Sequence, residues 1–376
     1  MSKTNIIPRR QLGKTGAQIS ILGFGGFHLC EALPNDAERM LNYYIDEGGN
    51  FIETAFGYGS GDSERKIGRV MKNRRDEVFL CTKTGCRTKT EAANAIDVSL
   101  NNLQTDHIDN LFMHGVSTQE ELDTILSPNG ALAAAEEARA KGKVRFIAIT
   151  SHNPEILYKA LQAYPFDVMM EWMNYYDRFN FPLIYDKIIP YCQEHSIGMI
   201  AMKPVGDGLL YRSPENAFRW VWSLPIACSS TGNNTMEMLK ANIKLAKSFK
   251  PMSEAEKQSL YHTAPEYANY VCRRCEKCLS NSLDLDLKQI FELEGYYDRQ
   301  MYTGNVPDAA EYALRERLRF WFGNQDVALD RYAKLERKVP KGFASDAIQG
   351  KCPYEIDVPR KLRIAAWKLT GDEGYL

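Results

Sequence analysis

The sequence predicts an α/β protein whose larger part is a (β/α)8 barrel, followed by a smaller helical domain. Eight short apolar segments recur through the first 250 residues, amphipathic stretches separate them, and the alternation stops near residue 250. Because helices would connect successive strands, the strands are expected to form a parallel sheet. The 376 residues leave room for one barrel of about 250 residues and one smaller domain.

The predicted strands are rich in Ile, Val, Phe, Leu and Met, as buried parallel strands are. They fall at 19–24, 50–54, 78–82, 109–113, 144–149, 167–172, 198–202 and 225–229. Amphipathic helices are predicted between them, at 36–47, 89–103, 153–162, 181–196 and 234–247. The alternative is a doubly wound sheet, which expects a Gly-x-Gly-x-x-Gly turn after the first strand. The turn reads Gly-Phe-Gly-Gly-Phe at 23–27, which does not fit.

Beyond residue 250 the apolar strands disappear, and proline, charged and aromatic residues dominate. Helices are predicted near 254–270, 284–297, 308–321 and 325–335. We therefore divide the chain into a barrel at 1–250 and a helical domain at 251–376. The aromatic residues of this region are interpreted as its core, with a lid over the barrel as the alternative: Tyr296, Tyr297, Tyr302, Phe320, Trp321 and Phe322.

Composition excludes several classes of protein. Lys+Arg number 47 and Asp+Glu 48, so the net charge of −1 gives no reason to expect a nucleic-acid partner. No apolar run reaches the roughly 18 residues of a membrane span, and the first ten residues lack the apolar stretch of a signal peptide. We expect a cytoplasmic enzyme without a disulfide framework.

Four residues that can carry chemistry follow predicted strands, where barrel enzymes place their active sites. They are Glu53, Tyr58, Lys83 and His114. With the segments RQLGKTG at 10–16, VRFIAITSH at 144–152 and GMIAMKP at 198–204, they resemble the aldo-keto reductases over residues 8 to about 248. The resemblance implies an NAD(P)-dependent oxidoreductase that acts on an aldehyde, a ketone or the corresponding alcohol.

The resemblance also implies the roles of these four residues. Tyr58 would be the general acid and base, and the ammonium of Lys83 would lower its pKa from an ordinary value near 10. Glu53, which replaces the aspartate of the family, would hold Lys83. His114 would donate a hydrogen bond to the substrate oxygen.

The expected nicotinamide site is also taken from the resemblance. Its residues follow the later strands or open the last barrel helix: Thr150, Ser151, Asn174, Lys203, Gly206, Gly208, Gly232, Asn233, Asn234 and Asn242. Many family members hold the 2′-phosphate of NADP(H) with basic residues at the start of that helix. The matching positions here are Gly232 and Met238, so we expect NADP(H) to be favoured over NAD(H) weakly, if at all.

The nine cysteines include a Cys-x2-Cys-x2-Cys triple, Cys272, Cys275 and Cys278, and a remote Cys352 that precedes a proline. This pattern resembles a bacterial-type ferredoxin site. Ser282 and Leu283 stand where a second Cys-Pro would be, so one [4Fe–4S] cluster is expected. The chain thus resembles a subgroup of aldo-keto reductase-like proteins with a C-terminal iron–sulfur domain. A structural zinc site on the same cysteines is the alternative.

Two other functions remain open from the sequence. The protein would be a nicotinamide-binding redox sensor if turnover were incidental. It would be an electron-transfer oxidoreductase if the cluster exchanged electrons with a separate carrier.

Overall fold

The structure is a computed structural model that describes residues 6–278, 282–300, 325–348 and 351–376. The predicted helix at 308–321 lies outside the described residues, as do Tyr302, Phe320, Trp321 and Phe322. The chain forms two compact units. The barrel unit contains 1–173, 186–204 and 215–251, and the helical unit contains 174–185, 205–214 and 252–376. The helical unit thus includes two loops from before residue 250, and the division at 250 stays a proposal.

The barrel begins with an antiparallel hairpin of two short strands, β1 (Arg9–Gln11) and β2 (Gln18–Ser20). The hairpin places Leu12 and Ile19 in the hydrophobic core together with Phe51, Phe79 and other residues of the barrel strands. Gly198 allows this close approach, because a Cβ there would lie 2.7 Å from a methyl carbon of Leu12. The hairpin therefore belongs to the core of the barrel.

Eight parallel strands close the barrel, which confirms the predicted fold of this unit. They are β3 (Leu22–Gly25), β4 (Phe51–Glu53), β5 (Phe79–Thr84), β6 (Ile108–Met113), β7 (Val144–Thr150), β8 (Val168–Trp172), β9 (Gly198–Met202) and β10 (Cys228–Gly232). Each pairs in parallel with the next along the chain, and β10 pairs with β3. The predicted strand at 225–229 is misplaced, because the polar Ser229, Ser230 and Thr231 form most of β10.

The helices of the barrel unit are α1 (Pro34–Asp46), α2 (Asp62–Arg74), α3 (Lys89–Leu103), α4 (Gln119–Leu126), α5 (Ala131–Ala140), α6 (Pro154–Ala163), α7 (Ile189–Glu194), α8 (Pro214–Trp222) and α9 (Met236–Lys247). The predictions at 36–47, 89–103, 153–162 and 234–247 are confirmed. The helix predicted at 181–196 divides into a π-helical turn, Ile184–Ile188, and α7. No prediction covered α2, whose buried face includes the polar residues Ser63, Glu64 and Lys66.

The helical unit contains α10 (Glu254–Thr263), α11 (Leu287–Asp298), α12 (Gln325–Ala333) and α13 (Val358–Thr370) within its described part. The predictions for α11 and α12 are confirmed within a few residues. The prediction at 254–270 is too long, because α10 ends before Pro265 and a proline disfavours helix in the residue that precedes it. No described helix is long and apolar enough to cross a membrane.

Charged side chains occupy the interior of the helical unit. The carboxylate of Glu294 on α11 accepts hydrogen bonds from Lys361 Nζ at 2.6 Å and Lys368 Nζ at 3.1 Å, both on α13. An Asp298 carboxylate oxygen lies 2.7 Å from Lys368 Nζ, and the Tyr270 hydroxyl donates a hydrogen bond to Glu294. All four charged residues are buried. Opposite charges therefore join α11 to α13 where an apolar core would be usual.

Replacing Lys361 by Met should destabilise the protein strongly, because it leaves the buried Glu294 short of a counter-charge. Breaking a buried pair in this way costs about 3–5 kcal/mol of unfolding free energy. Chemical denaturation measures the loss. Lys341→Met is the matched control, since Lys341 pairs with Asp372 on the surface, where such pairs contribute about 0–1 kcal/mol. Equal losses in the two variants would contradict this account of the interior.

Candidate active site

The barrel brings the four predicted catalytic residues to one rim. Glu53 is the last residue of β4, Lys83 lies one residue before the end of β5, and His114 follows β6 directly. Tyr58 lies in the loop that leads from β4 to α2. Because parallel strands of a closed barrel end at the same rim, residues far apart in sequence become neighbours.

Lys83 is the centre of this group. Its Nζ lies 3.2 Å from Tyr58 Oη and 2.9 Å from the carbonyl oxygen of Thr54, and it also donates to Glu53 Oε2. The other carboxylate oxygen, Glu53 Oε1, accepts a hydrogen bond from Ser230 Oγ at 2.7 Å. The glutamate thus reaches Lys83 as expected, and its second oxygen is bonded to the last barrel strand.

The loop that carries Tyr58 is tightly turned. Gly59, Ser60 and Gly61 all have left-handed backbone conformations, and a Cβ at Gly59 would lie 2.8 Å from the sulfur of Cys30. The tyrosine ring contacts the ring of His114 edge to face, with centroids 5.8 Å apart. These contacts hold the hydroxyl beside Lys83.

Burial dominates the ionisation of Tyr58. It raises the pKa of the hydroxyl, and Glu53 and Cys30 raise it further, whereas Lys83 lowers it. Lys83 lowers the pKa of Tyr58 as expected, but burial has the larger effect, so the net pKa lies above the ordinary value. Burial alone would lower the pKa of Lys83, but Glu53 and Tyr58 together raise it above its ordinary value. At neutral pH the pair is therefore a phenol beside an ammonium.

His114 is uncharged in this setting. Burial lowers the pKa of its ring to about 3, and three cations act in the same direction: Lys83, Arg87 and Lys203. Arg87 also donates to the carbonyl oxygens of His114 and Gly115, at 3.0 and 3.2 Å, which fixes the backbone here. A neutral imidazole offers one N–H donor and one acceptor nitrogen.

Two predicted cofactor residues, Thr150 and Ser151, already have partners at the end of β7. Thr150 Oγ1 accepts from the N–H of Gly115 at 2.8 Å. Ser151 Oγ donates to the carbonyl oxygen of Val116 at 2.6 Å. These bonds join the ends of β6 and β7, so the two hydroxyls order the rim beside His114.

A chain of amides orders the segment before α9. Asn242 Nδ2 donates to Asn233 Oδ1 at 2.8 Å, and Asn233 Nδ2 donates to the carbonyl oxygen of Thr231 at 3.0 Å. Gly232 is the last residue of β10, and α9 begins only at Met236. The interpretation that Gly232 opens this helix is therefore wrong. Asn234 lies in the connection and donates to Glu31 Oε2 at 3.1 Å.

Three other predicted cofactor residues lie in the loops of the helical unit. Asn174 Oδ1 accepts from the backbone N–H of Asp177, and its Nδ2 donates to Asp177 Oδ2, both at 2.9 Å. Gly206 and Gly208 belong to a short turn in left-handed conformation. Lys203, in the barrel unit, also has a left-handed backbone. Their binding of a cofactor stays a prediction.

The four predicted metal ligands lie near one another in the helical unit. Burial and the nearby thiols of the other three cysteines together raise the pKa of Cys278 to about 11. The backbone N–H of Arg274 donates a hydrogen bond to Cys272 Sγ, with nitrogen and sulfur 3.4 Å apart. Across the described ranges, however, no group of three or more His, Cys, Asp or Glu side chains is placed to hold a metal ion.

Arg273 ties the cysteine triple to the segment of Cys352. Its guanidinium carbon lies 4.7 Å from the ring centroid of Tyr267 and 4.6 Å from that of Tyr354. Its nitrogens donate to three carbonyl oxygens, those of Tyr261, Ala268 and Val271. A buried arginine thus holds Tyr354, two residues beyond Cys352, against the loop that precedes Cys275.

Sequence reasoning missed three residues near the rim: Phe27, Glu31 and Ser230. The ring of Phe27, half exposed, contacts that of Tyr58 edge to face with centroids 5.1 Å apart. The position of Phe27, directly after Gly25 and Gly26 at the end of β3, could have indicated that this residue lies at the rim. Nothing local in the sequence marks Ser230, because its partner Glu53 is 177 residues away.

Comparisons with known proteins agree with this geometry. A family model described as the aldo/keto reductase family matches residues 21–271. The uncharacterized oxidoreductase YqkF of Bacillus subtilis (strain 168) is 27% identical over 270 residues, 69% of this chain and 78% of that protein. Aldo-keto reductase yakc [NADP(+)] of Schizosaccharomyces pombe (strain 972 / ATCC 24843) is 29% identical over 232 residues, 56% of this chain and 65% of that protein.

A solved structure is also similar. The holo form of aldo-keto reductase AKR11C1 from Bacillus halodurans has a TM-score of 0.60 at 26% identity, covering 68% of this chain and 95% of that chain. The family model covers well over half of the sequence, and the closed barrel carries the expected residues on one rim. This chain therefore belongs to the aldo/keto reductase family and is an oxidoreductase of that type.

Proposed function

We propose that the protein transfers a hydride between a nicotinamide cofactor and a small substrate. In one direction an aldehyde or ketone is reduced at its carbonyl carbon; in the other the corresponding alcohol is oxidised. The observation that carries this proposal is the position of Lys83 Nζ, 3.2 Å from Tyr58 Oη, with Glu53 and the Thr54 carbonyl as its other partners. A phenol beside a fixed ammonium is suited to donate a proton and then to carry a negative charge.

In the reducing direction, the bound nicotinamide would supply a hydride to the carbonyl carbon while the C=O π bond breaks. Negative charge develops on the oxygen, and the Tyr58 hydroxyl donates its proton there. The resulting phenolate is stabilised by the Lys83 ammonium until solvent returns a proton. The raised pKa of Tyr58 suits this direction, because the donor stays protonated at neutral pH.

His114 would orient the substrate without exchanging a proton. With a pKa of about 3 its ring is neutral, so one ring N–H can donate a hydrogen bond to the carbonyl oxygen. A fixed donor aimed at a developing negative charge stabilises the transition state.

The residues of the barrel unit fit a nicotinamide cofactor at the start of α9. The N-terminus of a helix attracts phosphate through its free N–H groups and its dipole, and Asn233 and Asn242 order the segment that leads into it. The name of the Schizosaccharomyces pombe relative includes NADP(+), which supports a cofactor of this class. Thr150, Ser151 and Lys203 are proposed to contribute to its binding from the rim.

We also propose that Cys272, Cys275, Cys278 and Cys352 hold one [4Fe–4S] cluster. Thiolates are the usual ligands of such clusters, and backbone N–H groups that donate to sulfur tune them; the N–H of Arg274 is placed for this role. The thiols of the other three cysteines all raise the pKa of Cys278, and this proximity supports a shared site. A zinc ion bound by the same residues is the competing assignment.

Tyr58→Phe should lower the rate of carbonyl reduction at least about 100-fold, the usual scale for a general acid, and leave cofactor binding intact. Steady-state rates with a panel of aldehydes and ketones, together with cofactor titration, measure both effects. Tyr191→Phe is the control, because it removes a hydroxyl on α7 that donates to the carbonyl oxygen of Leu161. Near-normal turnover by the Tyr58 variant would exclude the proposed role.

The ring of His114 should remain neutral between about pH 5 and 8, where an ordinary histidine with a pKa near 6.5 gains a proton. Its NMR resonances, assigned with His114→Gln, should not shift over this interval. Unfolded chains take up this proton below about pH 6.5 and the folded chain does not. The group thus makes the unfolding free energy fall as the pH drops towards 3. A titration near pH 6.5 would show that His114 is not buried as described.

Protein purified without oxygen should contain about four irons and four sulfides per chain, with the visible absorption of a cluster. Cys352→Ser should lose or degrade the cluster, because it removes the remote ligand. Cys192→Ser is the control: Cys192 is a buried thiol of α7 in the barrel unit. Stoichiometric zinc without visible absorption would establish the competing site.

A further inference from the structure

Glu31 carries a negative charge at the start of α9. It is the last residue of a short 3-10 turn, Phe27–Glu31, that follows β3. Its Oε2 accepts from Asn234 Nδ2 at 3.1 Å and lies 3.3 Å from His28 Nδ1. Asn234 directly precedes Thr235, the N-cap of α9. A carboxylate from the first βα loop is thus joined to the segment where the last barrel helix begins.

This carboxylate is ionised at neutral pH. The hydrogen bond from Asn234 has the largest effect and lowers the pKa of Glu31; burial raises it, and His28 lowers it further, so the net pKa lies below the ordinary value. The side chain remains about half exposed, at 54%, so it is accessible to a ligand from solvent.

Neither Gly232 nor Met238, the positions where many family members carry basic residues, provides a positive charge at the start of α9. Gly232 cannot be replaced by a basic residue without displacing His28, because a Cβ there would lie 2.2 Å from the imidazole ring. Met238, in the first turn of α9, is uncharged. Lys240, further along the helix, points over the ring of Tyr43, with Nζ 5.6 Å from its centroid.

The two forms of the cofactor differ at the adenosine ribose. NAD(H) has a 2′-hydroxyl, which can donate a hydrogen bond, and NADP(H) has a 2′-phosphate, which carries up to two negative charges and only accepts. In dinucleotide-binding Rossmann folds an acidic side chain bonds to the 2′-hydroxyl, and an arginine accommodates the 2′-phosphate. A carboxylate that meets the ribose therefore attracts one form and repels the other.

We infer that Glu31 makes this chain selective for NAD(H): its carboxylate accepts a hydrogen bond from the adenosine 2′-hydroxyl and excludes a 2′-phosphate. The inference rests on the proposed nicotinamide site at the start of α9. It differs from that proposal in assigning the choice of cofactor to one residue of the first βα loop, outside the helix whose N-terminus receives phosphate.

Fluorescence titration of the full chain with NADH and with NADPH tests the inference. The wild-type protein should bind NADH at least about tenfold more tightly, a difference of about 1.4 kcal/mol. Glu31→Gln keeps the size of the side chain and removes its charge. It should bring the ratio of the two dissociation constants close to one, mainly through tighter binding of NADPH.

Glu237→Gln is the matched control, because Glu237 is the acidic residue in the first turn of α9 itself. It should change the ratio much less than Glu31→Gln. Tighter binding of NADPH by the wild-type protein would overturn the inference, as would an unchanged ratio in Glu31→Gln or an equal effect of Glu237→Gln. Failure of both cofactors to bind would instead overturn the proposed nicotinamide site, and the assignment of Glu31 with it.

Discussion

The positive charge of Lys83 constrains the whole rim of the barrel. Only 2% of this residue is exposed, and an ammonium buried without partners would cost several kcal/mol. Glu53 supplies the opposite charge, the Thr54 carbonyl accepts a second hydrogen bond, and the Tyr58 hydroxyl lies at the remaining position. The geometry required to stabilise a buried cation is thus the geometry required to move a proton. The same contacts of Lys83 therefore serve both stability and the proposed chemistry.

The helical unit also buries charged side chains, but it pairs several of them with one another. Glu294 and Asp298 on one helix face Lys361 and Lys368 on another, all buried. Arg299 pairs with Asp177 at 2.8 Å, also in the interior. Such pairs stabilise less than apolar packing of equal volume, but they tolerate few alternative arrangements, since every displaced charge loses its partner. These buried pairs therefore restrict how α11 and α13 can pack against each other.

The sequence was informative wherever a local pattern carries the structure. Apolar runs located the barrel strands because buried parallel strands have no polar face, and cysteine spacing located the triple. Several of the errors share one cause. Ser229 and Ser230 form a strand because Trp222 Nε1 and Glu53 satisfy their hydroxyls, and Glu64 lies in the buried face of α2 because Thr82 and Asn102 donate to it. The pKa of Tyr58 also depends on burial. Partners supplied by distant residues leave no trace in a local pattern.

The stacking of Arg273 between Tyr267 and Tyr354 affects how the cysteine site is assembled. Cys278 and Cys352 are 74 positions apart, and bringing the ends of a flexible segment of that length together costs about 4 kcal/mol of chain entropy. In this fold the contacts of Arg273 with the rings of Tyr267 and Tyr354 hold Cys352 near the triple. These contacts form when the chain folds and help to offset the loss of chain entropy. The position of the remote thiol therefore depends on Arg273 and its two aromatic neighbours, whatever the four thiols bind.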